Sequence, residues 1–293
     1  MGLLTIIISG VLVGGMYALI AIGLNAVFGV VRVVNFAHGE LVVLGMYTAY
    51  FAWTVWSIQP YVTAVLIALP LGFLVGMVIQ RFVVQRLLDE PLMQMFATFG
   101  LLMLLQNLFL AFTRGEPKAV RVAASSASIN LFGVSVSVSR LVVLGAAILV
   151  TIILVVFLKQ SLYGAAVRAV SQDRGTAALM GINVKVLYMV AFGVSGAIAL
   201  MAGALMSPIY TVSPTLGFTF VLPAFAVVVL GGLGSIGGSL IGGLIVGVVE
   251  ALSGYFLDPS LKQAVWFTLF LAVLVIRPAG LFGKAGSEEI GQR

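Results

Sequence analysis

A chain crosses ~30 Å of hydrocarbon as a helix only where about 20 consecutive residues are mostly apolar. Such runs dominate this sequence. Reading between charges and turn residues gives nine, at 3–31, 37–57, 61–82, 92–112, 141–158, 186–207, 217–230, 239–257 and 264–276. Lys and Arg number 15 and Asp and Glu 9 among 293 residues, a charged fraction far below the roughly one quarter of soluble domains. A water-exposed globule cannot be covered with so little polar surface. The sequence therefore predicts an all-α, polytopic integral membrane protein forming one transmembrane domain over 1–293. The ninth run is short and is completed from its flanks. The seventh runs into Gly231-Gly232-Leu233-Gly234-Ser235-Ile236-Gly237-Gly238 and reads as a half-helix or re-entrant element. That leaves eight or nine spans with glycine-rich interruptions. The opening Met1-Gly2-Leu3-Leu4 lacks the basic stretch of a cleaved leader, so the first run is kept as a span.

The missing residue types exclude much chemistry. With no cysteine there is no disulfide, thiolate nucleophile or sulfur-ligated metal. A single histidine, His38, rules out a multi-histidine cage, so neither a metal site nor a catalytic residue is expected. No GxxxxGK[ST] loop is present, so ATP is not bound in that way. The net charge of +6 reads as topology information and not as a nucleic-acid footprint.

Placing the long loop 159–185 in the cytoplasm puts Arg32, Arg81, Arg86, Lys159, Arg168, Arg174, Lys185, Arg277, Lys284 and Arg293 inside. Arg114, Lys118, Arg121, Arg140 and Lys262 then remain outside. Basic residues favour the cytoplasmic side, so this orientation is preferred, with the C-terminus inside and 287–293 a disordered polar tail. In the outer loop 113–140, Val134, Val136 and Val138 alternate with serines, a period-two pattern suited to a short strand. A solvated loop is the plain reading of that segment, and a docking surface for an external partner the functional one.

Glycines at 10 and 14, 72 and 76, 238 and 242, and 243 and 247 fit GxxxG. They are read as helix-packing motifs, since small residues let backbones approach where lipid offers no hydrophobic drive. Two segments share a layout of span, break and span: 15–50, broken at 32–40, and 217–252, broken at 231–238. Interrupted helices at corresponding positions of two halves point to a transport pathway.

Asn35-Phe36-Ala37-His38-Gly39-Glu40 gathers an amide, the one imidazole and a carboxylate between two apolar runs. Two readings stand open. The three groups sit at headgroup level, with Asn35 the N-cap and Arg32 a cation for Glu40, or they line a water-filled path. Glu250 is placed towards the outer end of its span. Asn25, Gln106 and Asn107 are assigned to interhelical hydrogen bonds worth roughly 1 kcal/mol each. In the 159–185 loop, 172–180 is predicted as a short helix capped by Ser171, with Asp173 in its first turn and Gly181 at the left-handed C′ position. Ala177, Ala178 and Met180 would form its small apolar face. Alanine inserts poorly into lipid, which favours a protein groove as its partner.

Tyr17-Ala18-Leu19-Ile20-Ala21-Ile22-Gly23 followed by Val34-Asn35-Phe36-Ala37-His38-Gly39-Glu40 resembles the LivH-type permeases of branched-chain amino acid ABC importers. So do Arg168-Ala169-Val170-Ser171-Gln172-Asp173-Arg174, Ala177-Ala178-Leu179-Met180-Gly181-Ile182-Asn183, the 230–238 glycine stretch and Arg277-Pro278-Ala279-Gly280-Leu281-Phe282-Gly283. The resemblance implies a subunit of the bacterial inner membrane, paired with a second homologous permease. Two cytoplasmic ATPases, which bind ATP and Mg, and a periplasmic substrate-binding protein complete the system. It further implies that Arg168, Gln172, Asp173, Arg174, Ala177, Ala178 and Gly181 belong to an ATPase-coupling loop. Asn35, His38, Glu40, Gly231, Gly232, Gly234 and Gly237 fall in the two breaks of the translocation pathway. Amino acids are the cargo implied first, with urea, short amides and small carboxylic or aromatic acids as alternatives. A self-sufficient secondary carrier or channel is the competing class, and it would place more acids or histidines in mid-span than His38, Glu40 and Glu250.

Overall fold

The computed structural model describes residues 2–88, 90–122, 127–131 and 133–283; the tail 287–293 lies outside them. Each of the nine apolar runs is helical. The helices are α1 (Gly2–Val31), α2 (His38–Trp56), α3 (Pro60–Leu87), α4 (Pro91–Thr113), α5 (Val138–Gln160), α6 (Leu162–Gln172), α7 (Arg174–Leu179), α8 (Val184–Met206), α9 (Leu216–Gly231), α10 (Ile236–Phe256) and α11 (Pro259–Ile276). Seven are long and apolar enough to cross a membrane: α1, α3, α4, α5, α8, α10 and α11. Two of the expected spans fall short, for different reasons. With 19 residues, α2 has the length but opens on the polar His38-Gly39-Glu40. At 16 residues, α9 reaches only about 24 Å, as its reading as a half-helix anticipated.

The bundle is built around α8, which is buried along most of its length. It packs against α3, α2 and α1. Glycines set these contacts. Gly10 and Gly14 of α1 cross Gly243 and Gly247 of α10 backbone to backbone, and Gly72 and Gly76 of α3 lie against Phe192, Gly193 and Gly196 of α8. The packing role read from GxxxG is what these positions perform. Along α3, Ala64–Ala68 widens into a π-turn. Pro70 follows and cannot donate to the Leu66 carbonyl, so the local ladder is rearranged.

The 113–140 loop departs from all-α structure. Ser128–Leu131 (β1) pairs antiparallel with Val134–Ser137 (β2). Val134 and Val136 turn inward onto Leu12 of α1 with Leu141 and Leu144 of α5, so the alternation marked a strand packed on the bundle and not a solvated loop. Val138 already belongs to α5. Further along, Lys118 and Val212 form an isolated antiparallel bridge, exchanging backbone hydrogen bonds of 2.9 and 2.7 Å. The 113–140 loop is thereby tied to the segment leading into α9.

Candidate functional site

The first break starts where α1 ends. Arg32 adopts a left-handed conformation, φ 56°, and its N–H donates to the Phe28 carbonyl at 3.0 Å. The chain then folds back along α1 instead of leaving the bundle. His38 consequently reaches Ile20, eighteen residues earlier in the chain and about 18 Å back along α1 from Arg32. Its Nε2 lies 3.0 Å from the Ile20 carbonyl, which can only accept, so Nε2 carries the proton. Ser195 Oγ then donates to Nδ1 at 3.4 Å. Ser195 is at the midpoint of α8, so α2 starts at half the depth of the bundle.

Short polar contacts hold the returning segment. Asn35 Oδ1 accepts from the Ala37 N–H at 3.1 Å, a local Asx-type turn. From α4, Thr98 Oγ1 accepts from Phe36 N–H at 3.4 Å and lies 3.3 Å from the Val34 carbonyl. Phe36 and Phe99 meet edge to face at 6.2 Å. The N-cap and the ion pair expected in this stretch are therefore corrected. Ala37 occupies the N-cap position of α2 without a side-chain cap bond, and Arg32 donates to the Ser171 carbonyl at 3.2 Å instead of pairing with Glu40.

Glu40 is fully enclosed, and neither carboxylate oxygen has a hydrogen-bond partner among the described residues. It stands in the first turn of α2 and presses on Gly217, the second residue of α9, where an added Cβ would sit 3.0 Å from Oε2. No side chain caps α9. Two helix N-termini, each with N–H groups lacking intrahelical acceptors, thus converge on one carboxylate at mid-depth.

The second break is a tight turn some five residues further along α1, about 7.5 Å from the first. Asn25 grips it through both ends of its amide. Its Nδ2 donates to the carbonyls of Gly232 (3.1 Å) and Ser235 (3.0 Å) and to Ser239 Oγ (2.7 Å), while Oδ1 accepts from Gly234 N–H at 2.6 Å. From the C-terminal segment, Leu281 and Phe282 N–H groups donate to the carbonyls of Leu230 and Gly231 at 2.8 and 3.1 Å. Gly232, at φ 108°, packs against Gly280 and Gly283 with no room for a side chain. Gly231 packs on Gly238 and Gly234 on Gly29, whereas a Cβ at Gly237 would meet open space. The four glycines assigned to this break thus differ: Gly231, Gly232 and Gly234 serve close packing, and Gly237 is free of that constraint. Asn25 was legible only as one polar residue in an apolar run. Asn107 proves different again, being exposed and bonded to Met103 of its own helix at 2.8 Å. Asn25→Ala is expected to cost about 2 kcal/mol, against almost nothing for Asn107→Ala. Thermal denaturation in detergent, followed by size exclusion, measures both.

The 159–185 loop folds as two helices. Ser161 caps α6, its Oγ accepting from Gly164 N–H at 3.0 Å, and Tyr163 donates to the Leu187 carbonyl at 3.1 Å. Burial pushes the Tyr163 phenol up to about 12, so it stays a donor at neutral pH. Arg168 donates to the Leu158 carbonyl in the last turn of α5. The cap expected from Ser171 belongs instead to Asp173, whose Oδ1 accepts from Gly175 and Thr176 N–H at 2.7 and 3.0 Å. Helix α7 is therefore shorter than the expected 172–180, and Gln172 ends the preceding helix. Gly181, at φ 86°, follows as expected. The small face divides: Ala177 is buried with Val30, Val167, Val170, Leu187, Tyr188 and Ala191, while Ala178, Leu179 and Met180 point outward. At 3.6 residues per turn, neighbours such as Ala177 and Ala178 cannot share a face. Leu179 stands well out, 89% exposed.

Tyr17 of α1 lies beside Glu250 of α10, whose Oε2 has no hydrogen-bond partner among the described residues.

Sequence relationships cover this whole arrangement. The profile of the family described as "Branched-chain amino acid transport system / permease component" matches residues 6–274. The high-affinity branched-chain amino acid transport system permease protein LivH of Salmonella typhimurium is 32% identical over 96% of both chains. LivH of Escherichia coli gives the same identity and coverage. BraD of Pseudomonas aeruginosa, a high-affinity branched-chain amino acid transport system permease protein, is 30% identical over 97% of both chains. No solved structure matches the chain. With its apolar helices, interrupted spans and full-length relatives, the chain belongs to the branched-chain amino acid ABC transport permease family, as a polytopic membrane transport subunit and not an enzyme.

Proposed function

We propose that this permease is the membrane-spanning subunit of a binding-protein-dependent importer of branched-chain amino acids, located in the bacterial inner membrane. A second homologous permease pairs with it, two cytoplasmic ATPases hydrolyse ATP with Mg, and a periplasmic binding protein delivers cargo. The translocation path runs along the junction of α2 and α9, which complete the seven longer helices to nine membrane segments. The observation that carries the reading is the start of α2 at half depth, against the uncapped N-terminus of α9. Irregular backbone at that depth is tolerated where it lines a cavity or is buried in protein, and alternating access needs a segment able to change partners. In this arrangement Glu40 faces the path, Asn35 and His38 hold the break in position, and Gly231, Gly232, Gly234 and Gly237 form the turn beneath it.

Coupling enters through α7 and its flanks, with Arg168, Gln172, Asp173, Arg174, Ala177, Ala178 and Gly181 as the loop that engages an ATPase. Arg32 links this loop to the first break, since it ends α1 and donates to Ser171. A push on α7 is thereby delivered to the start of the returning segment. Uptake of labelled leucine by proteoliposomes tests the function: the complete system accumulates it with ATP, and this subunit alone accumulates none under any ion gradient. Gradient-driven accumulation by the lone subunit would favour the carrier class.

Orientation carries its own expectation. With 159–185 in the cytoplasm, cysteine introduced at Ser171 resists impermeant thiol reagents in intact cells and reacts after permeabilisation. Ready labelling in intact cells would invert the topology.

A further inference from the structure

Glu40 is the polar group in the first break that its surroundings leave unused. Asn35, His38, Thr98 and Ser195 are engaged by hydrogen bonds. Both Glu40 oxygens are without a partner among the described residues, at zero exposure. A buried carboxylate with neither counter-charge nor donor is costly, and such a group at membrane depth marks a site whose partner arrives from outside. Beside it lies the first turn of α9, whose amides have no side-chain cap. Helix N-termini attract anionic groups through these free N–H donors and the positive end of the helix dipole. One half of the junction therefore suits a cation and the other a carboxylate.

Resting on the reading of the α2–α9 junction as the path, we propose that this junction is a transient binding site for an α-amino acid zwitterion, with Glu40 receiving the ammonium group and the first-turn amides of α9 the carboxylate. The site is closed in this structure, because Gly217 lies directly on the Glu40 carboxylate. The helix that must move has the means to do so. Pro223 lies within α9 and cannot donate to the Thr219 carbonyl, so the segment before it can tilt while the rest stays fixed. Phe218, Thr219 and Leu222, on the same short segment, face outward from this chain. Tilting would lift Gly217 from Glu40 and open the junction towards that face. Such a site selects amino acids over cargo lacking an ammonium group: urea offers no ammonium, and a simple carboxylic acid would meet Glu40 as a like charge.

The test uses the complete reconstituted system with its ATPases and binding protein. Glu40→Gln is expected to lower leucine accumulation about tenfold or more, as loss of one partner of a desolvated charge pair does, while binding-protein-stimulated ATP hydrolysis persists. Unchanged accumulation in Glu40→Gln, with an active wild type, overturns the site and leaves the importer reading intact. A wild type that accumulates no leucine overturns the importer reading itself and the site with it. If Glu40→Gln fails to assemble or to hydrolyse ATP, the wild-type complex decides by labelling with an apolar carbodiimide, read at Glu40 by mass spectrometry. Leucine during turnover should protect Glu40, and 4-methylpentanoate, the same side chain without the ammonium, should not. Absence of protection by leucine, or equal protection by both, overturns the proposal.

Discussion

Ala178→Trp is expected to abolish uptake and release the ATPases while the permease remains folded in the membrane. Ala178 is exposed on α7, so an indole there disturbs nothing inside this chain. Its neighbours Leu179 and Met180 are 89% and 80% exposed, an apolar tip at odds with a helix standing free in water. A partner groove matched to Ala178 cannot admit a residue several times larger without losing contact, and overpacking typically costs 1–3 kcal/mol, roughly ten- to hundredfold in affinity. The adjacent Ala177→Trp should behave differently, because Ala177 is buried among Val167, Val170 and Leu187 and the indole would break the loop itself. Co-purification of tagged permease with the ATPases, together with uptake, separates the two. ATPases retained at wild-type level by Ala178→Trp, with normal hydrolysis, would make α7 a lipid-surface element.

Gly14→Leu should leave no stable permease at all. A Cβ at this position would stand 2.6 Å from the Gly243 carbonyl oxygen and 2.8 Å from the Leu244 Cα. Both are backbone atoms of α10 and cannot rotate away, so the two helices must separate. The α1–α10 contact is stabilised by close van der Waals approach, which a gap forfeits quickly. Gly10 and Gly247 in the same crossing would be pulled apart with it. Gly145→Leu on α5 makes the control, since a Cβ there meets nothing within 4 Å. Fluorescence-detected size exclusion of detergent extracts should show a monodisperse peak for Gly145→Leu and none for Gly14→Leu. A normal peak for Gly14→Leu would mean that the α1–α10 crossing is not needed for folding.

Where the helices run is legible from the residues alone, because the solvent dictates it. In hydrocarbon every backbone group must be satisfied within its own segment, so each long apolar run had one outcome. The GxxxG pairs were legible for the same reason, as was the left-handed Gly181, whose φ of 86° suits a residue without a Cβ. Where each polar residue finds its partner, by contrast, emerges only from the packed bundle. Asn25 and Asn107 look alike in sequence, yet one holds a turn more than 200 residues away and the other merely bonds its own helix. Arg32 and Glu40 are near neighbours that suggest an ion pair, but the fold-back of 33–37 carries Glu40 to mid-depth and leaves Arg32 beside Ser171. Asp173 displaced Ser171 as cap of α7 because the helix before it runs on to Gln172. Apolar burial is set by a run's own composition and length, whereas a hydrogen bond needs a second group at about 3 Å, and only the packed bundle determines which group stands there.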